Sequence, residues 1–271
     1  MIKFGALALS AMLLAGGAAG LVKQPAQEEV FYRDSYDITY DESGSSNAII
    51  ESLSVTYSTR TRDTYAQALK FPNYDYAPAV SACAAVAGAN LVGFFDRYDE
   101  NLIPNHSSGT AVGTTYIYSS EDSAVQAVIR ELYSYMGTTA TGTTEKKFKD
   151  GLTNFCKDKG HGITFTSCMQ GDSFSYSLAQ NYLKQNQPIA LFLSGYNVTT
   201  MTENSNNDSL SVYVSDAPHI MIGFGYKTYV YDGNRVYNYI SVASGIAGNS
   251  SGLFNINYKT KINNALAVKI T

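Results

Sequence analysis

SACAAVAGANLVGFFDRYDENLIPN, residues 81–105, is the stretch from which the rest of the chain is interpreted. Small and apolar side chains recur at helical spacing from Cys83 to Phe94, which predicts a helix that begins near Ser81 or Ala82 and ends before Pro104. Cys83 falls in the first turn of this helix. There it is either a small packing residue or a thiol placed where a helix N-terminus stabilises the thiolate.

Composition bounds the class of protein. The chain has 271 residues, 45% of them hydrophobic, which is enough for one large domain or two small ones. Charged residues make up only 15%, and the net charge is −4 with 19 Lys and Arg. Because the basic excess that attracts phosphate is absent, we expect no nucleic-acid partner. Low charge with many Tyr, Ser and Asn is typical of an extracellular protein.

The first 22 residues have the pattern of an export signal. One lysine is followed by an apolar run from Phe4 to Val22, with small residues at its end, and then by polar KQPAQEE. This pattern predicts a signal peptide over 1–22, or an uncleaved signal anchor, since the run reaches the length of a membrane span. We therefore expect a secreted protein, or one anchored on the outer side of the membrane, with no other membrane contact.

The remaining chain divides at about residue 70. Residues 23–70 are polar and weakly periodic, which fits either an N-terminal arm or a removable pro-segment. In 71–271, helical spacing recurs after SSED at 119–122, after Thr143 or Thr144 as far as Gly160, and from Ser175. Beyond Pro188 the pattern becomes that of strands, with Asp232-Gly233 as a hairpin turn. Helices followed by strands predict an α+β fold.

Three cysteines leave one unpaired in an exported chain. Cys156 and Cys168 lie 12 positions apart and could join across a helix-to-strand turn, an alternative that spacing alone leaves open. Cys83 would then be the free thiol. His219 begins a predicted strand directly after Pro218, and an imidazole placed near Cys83 by the fold would activate the thiol as a nucleophile.

These features resemble the papain-like cysteine peptidases, in the bacterial branch similar to bacteriocin-processing peptidases. The segments that carry the resemblance are APAVSACAAVAGANLVGFFDRY, SLAQNYLKQNQPIALFL and PHIMIGFGY, and it extends over about residues 70–260. It implies a bacterial protein with a papain-like fold, in which a helical layer with the nucleophile helix precedes an antiparallel sheet carrying the histidine. Cys83 would be the nucleophile and His219 the general base.

Two positions depart from the family pattern. The family's Gln before the nucleophile is missing, so Asn73 or Tyr76 would help the backbone N–H of Cys83 to hold the oxyanion. The Asn or Asp that orients the histidine is also missing. Ser244, at the corresponding place, or Asn238, lower in the same strand, would accept the ring's hydrogen bond instead.

The resemblance predicts an exported cysteine peptidase that hydrolyses peptide bonds of a peptide or protein substrate through a thioester. One alternative is a catalytically inactive papain-like fold used as an extracellular binding module. A second is a Cys–His amidase or acyltransferase that acts on cell-wall peptides. Without a cluster at metal-ligand spacing or a Gly-rich phosphate loop, we expect no metal and no other cofactor.

Overall fold

The computed structural model describes residues 39–40, 48–66, 71–74, 81–98, 101–104, 106, 110–112, 115–117, 123–246 and 251–271. All of them belong to one compact unit, residues 33–271. The predicted signal segment 1–22 and much of the predicted arm 23–70 lie outside the described residues. No helix in the described part of the chain is long and apolar enough to span a membrane.

The described residues form four helices and fourteen strands. The helices are α1 Cys83–Asp96, α2 Ser123–Tyr135, α3 Glu145–Asp158 and α4 Tyr176–Lys184. The strands are β1 Thr39–Tyr40, β2 Ile49–Thr56, β3 Arg60–Ala66, β4 Thr110–Val112, β5 Thr115–Ile117, β6 Thr143–Thr144, β7 Ile163–Ser167, β8 Met169–Gln170, β9 Ser173–Phe174, β10 Ile189–Thr202, β11 Asn207–Tyr231, β12 Arg235–Ala243, β13 Ser251–Asn255 and β14 Ile262–Ile270.

One large antiparallel sheet of eight strands dominates the molecule. Its order is β2-β11-β12-β13-β10-β14-β7, with β3 added to β11. Three two-stranded pairs, β1–β6, β4–β5 and β8–β9, lie outside it. The long strand β11 pairs with β2, β3, β10 and β12, so it connects most of the sheet.

The predicted papain-like α+β arrangement is wrong. The structure is 47% strand and 26% helix. Its main element is one antiparallel sheet of eight strands, rather than a layer of helices followed by a sheet. The physical reason lies in the polar segment before residue 70. Its two strands, β2 and β3, precede the helices in sequence but add to β11, which follows them, through backbone hydrogen bonds that composition does not reveal.

Local signals placed the starts of α3 and α4 and the hairpin correctly, whereas the SSED signal at 119–122 lies outside the described residues. The Thr144 and Ser175 hydroxyls accept hydrogen bonds from the N–H groups of Lys147 and Leu178, at 3.3 and 3.4 Å, and so cap α3 and α4. The predicted hairpin turn is confirmed, because Asp232 and Gly233 both have positive φ between β11 and β12.

The sheet separates two hydrophobic cores. Alternate residues of β11, Ile220 and Ile222, pack with α1, α2 and α3 on one face. Met221, which lies between them, packs with α4 on the other face. Helix α1 is buried on nearly every side, because the sheet covers one flank and α2 and α3 cover others. A side chain in α1 therefore meets protein whichever way it points.

Strand β11 bends back until its two ends meet. Tyr231 and Asp208 are 23 residues apart, which would separate them by about 75 Å in a straight strand. Nevertheless, the Tyr231 hydroxyl donates to Asp208 Oδ2 at 2.7 Å. The bend encloses a third core of tyrosine and aliphatic side chains.

Asp208 is the buried charge at this closure. Its side chain is fully buried and pairs with Arg60 of β3, and it also accepts from the Tyr57 hydroxyl at 3.2 Å and the Asn204 N–H at 3.1 Å. Burial alone would raise the pKa of this carboxyl, but the hydrogen bonds from Tyr231, Arg60 and Asn204 hold the pKa below its ordinary value. The carboxylate therefore links β3 to both ends of β11.

We predict that Asp208→Asn lowers the free energy of unfolding by about 2–4 kcal/mol, because it breaks a buried pair and weakens charge-assisted hydrogen bonds. Since the folded pKa of Asp208 lies below its unfolded value near 3.8, the carboxylate's contribution is complete above that pH and is lost as the pH falls through the folded pKa. Urea unfolding between pH 2 and pH 7 measures both effects. Asp150→Asn, which removes an exposed pair with Lys146, is the control and should change little. An Asp208→Asn protein as stable as the wild type at pH 7 would contradict this account.

Candidate active site

Cys83 is the first residue of α1, as the sequence predicts. Ala82 caps the helix without a side-chain hydrogen bond, and the Cys83 side chain lies in the core between α1 and the sheet with 3% of its surface exposed. The first N–H groups of a helix have no partner within it and carry a partial positive charge. In proteins generally a helix N-terminus favours the thiolate, whereas burial opposes its formation.

A strained residue joins the start of α1 to the loop before α3. Ser81 has φ of 65°, a left-handed conformation that is uncommon for a residue with a side chain. Its hydroxyl donates to the carbonyl of Ala140 at 2.8 Å, and this bond helps to hold the backbone just before Cys83. This link could not be predicted from local sequence, because the partner is 59 residues away.

His219 is fully buried in β11, and its ring is held in one orientation. Nε2 lies 2.7 Å from the backbone carbonyl oxygen of Ser244. Because a carbonyl can only accept, Nε2 carries the hydrogen and Nδ1 keeps its lone pair. Nδ1 has no hydrogen-bond partner among the described residues. The Tyr196 ring packs over the imidazole with 4.7 Å between ring centroids.

Burial keeps this imidazole neutral. Desolvation lowers the pKa of His219 to about 4, and the hydrogen bond to Ser244 only partly opposes the shift. Above that pH, the ring is a neutral group with a free acceptor nitrogen. It has the protonation state that a general base requires, but it is a weaker base than an exposed histidine.

His219 and Cys83 approach the same end of the sheet from different faces. His219 pairs with Leu193 of the α4-side core, whereas its neighbour Ile220 points to the α1 side. The Cys83 thiol is not hydrogen-bonded to Nδ1 in this structure. The two are nevertheless connected through residues 244 and 245: Ser244 holds the imidazole, and a side chain at Gly245 would come within 3.1 Å of a Val86 methyl in α1.

The two residues predicted to orient the imidazole have different positions. Ser244 lies against the ring, but its carbonyl makes the contact, and its hydroxyl accepts from the Ile246 N–H at 3.1 Å. Asn238 pairs with Thr228, nine residues or about 30 Å further along β11 from His219, and accepts from the Thr228 hydroxyl at 3.1 Å. Asn238 is therefore not brought to His219.

Of the two side chains predicted to hold the oxyanion, only Asn73 belongs to the described residues. Tyr76 lies outside them. Asn73 adjoins Tyr74, whose backbone N–H donates to the Asn90 side chain at 2.7 Å, about 10 Å along α1 from Cys83. The Asn73 Oδ1 atom is buried without a hydrogen-bond partner among the described residues. The backbone N–H groups at the start of α1 remain the donors nearest to the thiol.

Glu145 is a buried carboxylate that the sequence analysis did not identify. Glu145 begins α3 with 1% of its surface exposed, and its Oε1 accepts from Asn264 at 3.0 Å and pairs with Lys149 at 3.2 Å. Its Oε2 has no hydrogen-bond partner among the described residues. Acidic residues are common in a first helical turn, so the sequence carries no signal that this one is buried.

Cys156 and Cys168 are free, buried thiols, so their pairing is not formed. Cys156 packs in the α1-side core and Cys168 in the core on the other face of the sheet. Burial raises the pKa of each of these two thiols to about 12, so neither forms a thiolate near neutral pH. Within the described residues, no group of three His, Cys, Asp or Glu side chains could hold a metal ion.

Comparison with known proteins gives this chain no relative. It matches no family model, no curated protein and no solved structure. Its chemistry is therefore argued from the residues of the site alone.

We predict that stability falls as the pH drops from 6.5 to about 4, because the unfolded chain binds a proton at His219 in this window and the folded chain does not. In urea unfolding measured at half-unit pH steps, His219→Gln should remove most of this dependence of the unfolding free energy on pH. Ser244→Ala is the matched control, since it retains the carbonyl that holds the ring and should retain the slope. A slope that survives in His219→Gln would show that the pH dependence arises elsewhere.

Proposed function

We propose that this protein is an exported thiol hydrolase of peptide bonds, with Cys83 as nucleophile and His219 as general base. The observation that carries the proposal is the orientation of the imidazole. Nε2–H is fixed on the Ser244 carbonyl and Nδ1 keeps an unpartnered lone pair, while the next residue, Gly245, lies beside Val86 in the first turn of α1. A buried acceptor without a partner is costly, so its retention favours a functional role.

The proposed chemistry uses the Cys83 thiol and the Nδ1 atom of His219. Nδ1 takes the proton of the Cys83 thiol, and the thiolate attacks a peptide carbonyl while the N–H groups of the first helical turn hold the oxyanion. The amine leaves with the proton from the imidazolium and a thioester remains. Water then attacks the thioester with the same imidazole as base, which releases the acid and restores the thiol.

The thiol and the imidazole lie on different faces of the sheet in this structure, so the reaction requires a rearrangement that brings them to the same face. Residues 244 and 245 link the two parts of the proposed site, because Ser244 holds Nε2 and a side chain at Gly245 would come within 3.1 Å of a Val86 methyl. Movement that exposes His219 would also raise its pKa toward the ordinary value and make it a stronger base.

The burial of Cys83 and His219 favours a second function, that of a binding module. With 3% of Cys83 and none of His219 exposed, both residues also fit a structural role in a binding module without catalysis. An amidase or acyltransferase acting on cell-wall peptides would use the same two residues as the peptidase. The reactivity of the Cys83 thiol distinguishes the binding module from the peptidase. The substrate that is cleaved distinguishes the amidase or acyltransferase from the peptidase.

The first test is the rate at which iodoacetamide alkylates Cys83 between pH 4 and pH 9, followed by peptide mass mapping. We expect Cys83 to react in the folded protein below pH 7, and to react at least about tenfold more slowly in His219→Ala. Cys156 and Cys168 are internal controls, because thiols with a pKa of about 12 stay unmodified until the protein unfolds. A Cys83 that reacts only after unfolding would overturn the catalytic proposal and favour the binding module.

The second test is turnover of casein and of a mixed peptide library, with peptidoglycan fragments in parallel. Cys83→Ala should lower kcat/KM at least about 1,000-fold, and His219→Ala at least about 100-fold. Since Ala84 already follows Cys83 in the helix, the Cys83→Ala protein should fold normally. His106→Ala is a control histidine variant. Undiminished cleavage by Cys83→Ala would contradict the assignment, and cleavage confined to peptidoglycan would identify the amidase.

A further inference from the structure

A cavity of about 390 Å³ lies at the end of α1 remote from Cys83. Three helices end beside it: α1 supplies Phe95, α3 is followed by His161, and α4 is followed by Gln185. Because α1 has 14 residues, the cavity and the thiol are about 20 Å apart. The cavity is therefore separate from the candidate active site.

One wall of the cavity is aromatic and apolar. It contains Phe95, Tyr98 and Leu102. Tyr98 leaves 63% of its surface exposed, which is unusual for a large ring without a partner surface. The Arg97 guanidinium lies 4.8 Å from the centroid of the Tyr98 ring and restricts its position.

Another part of the lining is formed by three consecutive carboxamides, Gln185, Asn186 and Gln187. Gln185 donates from its side chain to the Asn181 carbonyl at 3.2 Å, and the Asn186 side chain accepts from the Tyr65 hydroxyl at 3.1 Å. Asn186 has φ of 57°, so the backbone reverses here. A carboxamide both donates and accepts, which matches a ligand that carries several hydroxyl groups.

The lining of the cavity carries charges of both signs. Each helix C-terminus carries about half a negative charge, which attracts a cation and repels an anion. Lys269, which also lines the cavity, has the opposite effect on each. Because these effects oppose each other, the lining selects neither sign, and a neutral ligand suits it.

We propose that this cavity binds a neutral saccharide of one or two rings, independently of the reaction proposed for Cys83. The C–H face of the sugar packs on the Tyr98 ring, and its hydroxyl groups exchange hydrogen bonds with the carboxamides. A volume of about 390 Å³ lies in the range of small-molecule sites. The aromatic wall supplies contact area, and the amide wall supplies orientation.

Saturation-transfer NMR and calorimetry with glucose, galactose, N-acetylglucosamine and lactose, each at millimolar concentration, test the proposal. At least one should bind, and Tyr98→Ala and Gln187→Ala should each weaken binding at least about fivefold. Tyr98→Phe, which keeps the ring face, should retain binding, and Tyr135→Ala is the control for an exposed tyrosine elsewhere. Thermal unfolding checks that each variant is folded.

Three results would overturn this assignment. They are the absence of binding for all four sugars, binding that Tyr98→Ala leaves unchanged, and preferential binding of acetate or tetramethylammonium in the same assay. The Cys83→Ala protein should bind the sugar as the wild type does. A loss of activity at Cys83 and a loss of sugar binding at Tyr98 are thus independent readouts.

Discussion

The fold depends on backbone hydrogen bonding along β11. This strand has 25 residues and pairs with four others, two along each half. Side chains alternate across it, so neighbouring residues enter different cores, and its bend brings Asp208 to Tyr231. The positions of His219, of the buried carboxylate and of the edge strands β2 and β3 all follow from the path of this one strand.

Two titratable groups of β11 are buried in opposite charge states, one ionised and one neutral. Asp208 stays charged because Arg60, two tyrosine hydroxyls and a backbone N–H compensate for lost water. His219 has only a carbonyl as partner and is held neutral. The first arrangement fixes the closure of the sheet, and the second leaves a nitrogen lone pair available. A buried charge needs several partners, whereas a neutral imidazole can be buried with one.

The two ends of helix α1, which carry opposite partial charges, border different sites. Its N-terminus, with partial positive charge, holds the thiol that would have to ionise, and its C-terminus borders a cavity whose charges suit a neutral ligand. The helix is buried on nearly all sides, so neither end can shift without the sheet or the neighbouring helices. A signal from one end to the other would have to pass through this packed interior.

The sequence by itself determined the features set by near neighbours: the start of α1 at Cys83, the caps at Thr144 and Ser175, and the Asp232-Gly233 turn. These depend on hydrogen bonds and backbone angles within a few residues. Only the tertiary structure decided that a polar N-terminal segment adds β2 and β3 to β11, that Ser244 holds His219 through its carbonyl, and that the cysteines stay apart. Backbone groups are the same in every residue, so long-range pairing through them leaves little trace in side-chain patterns.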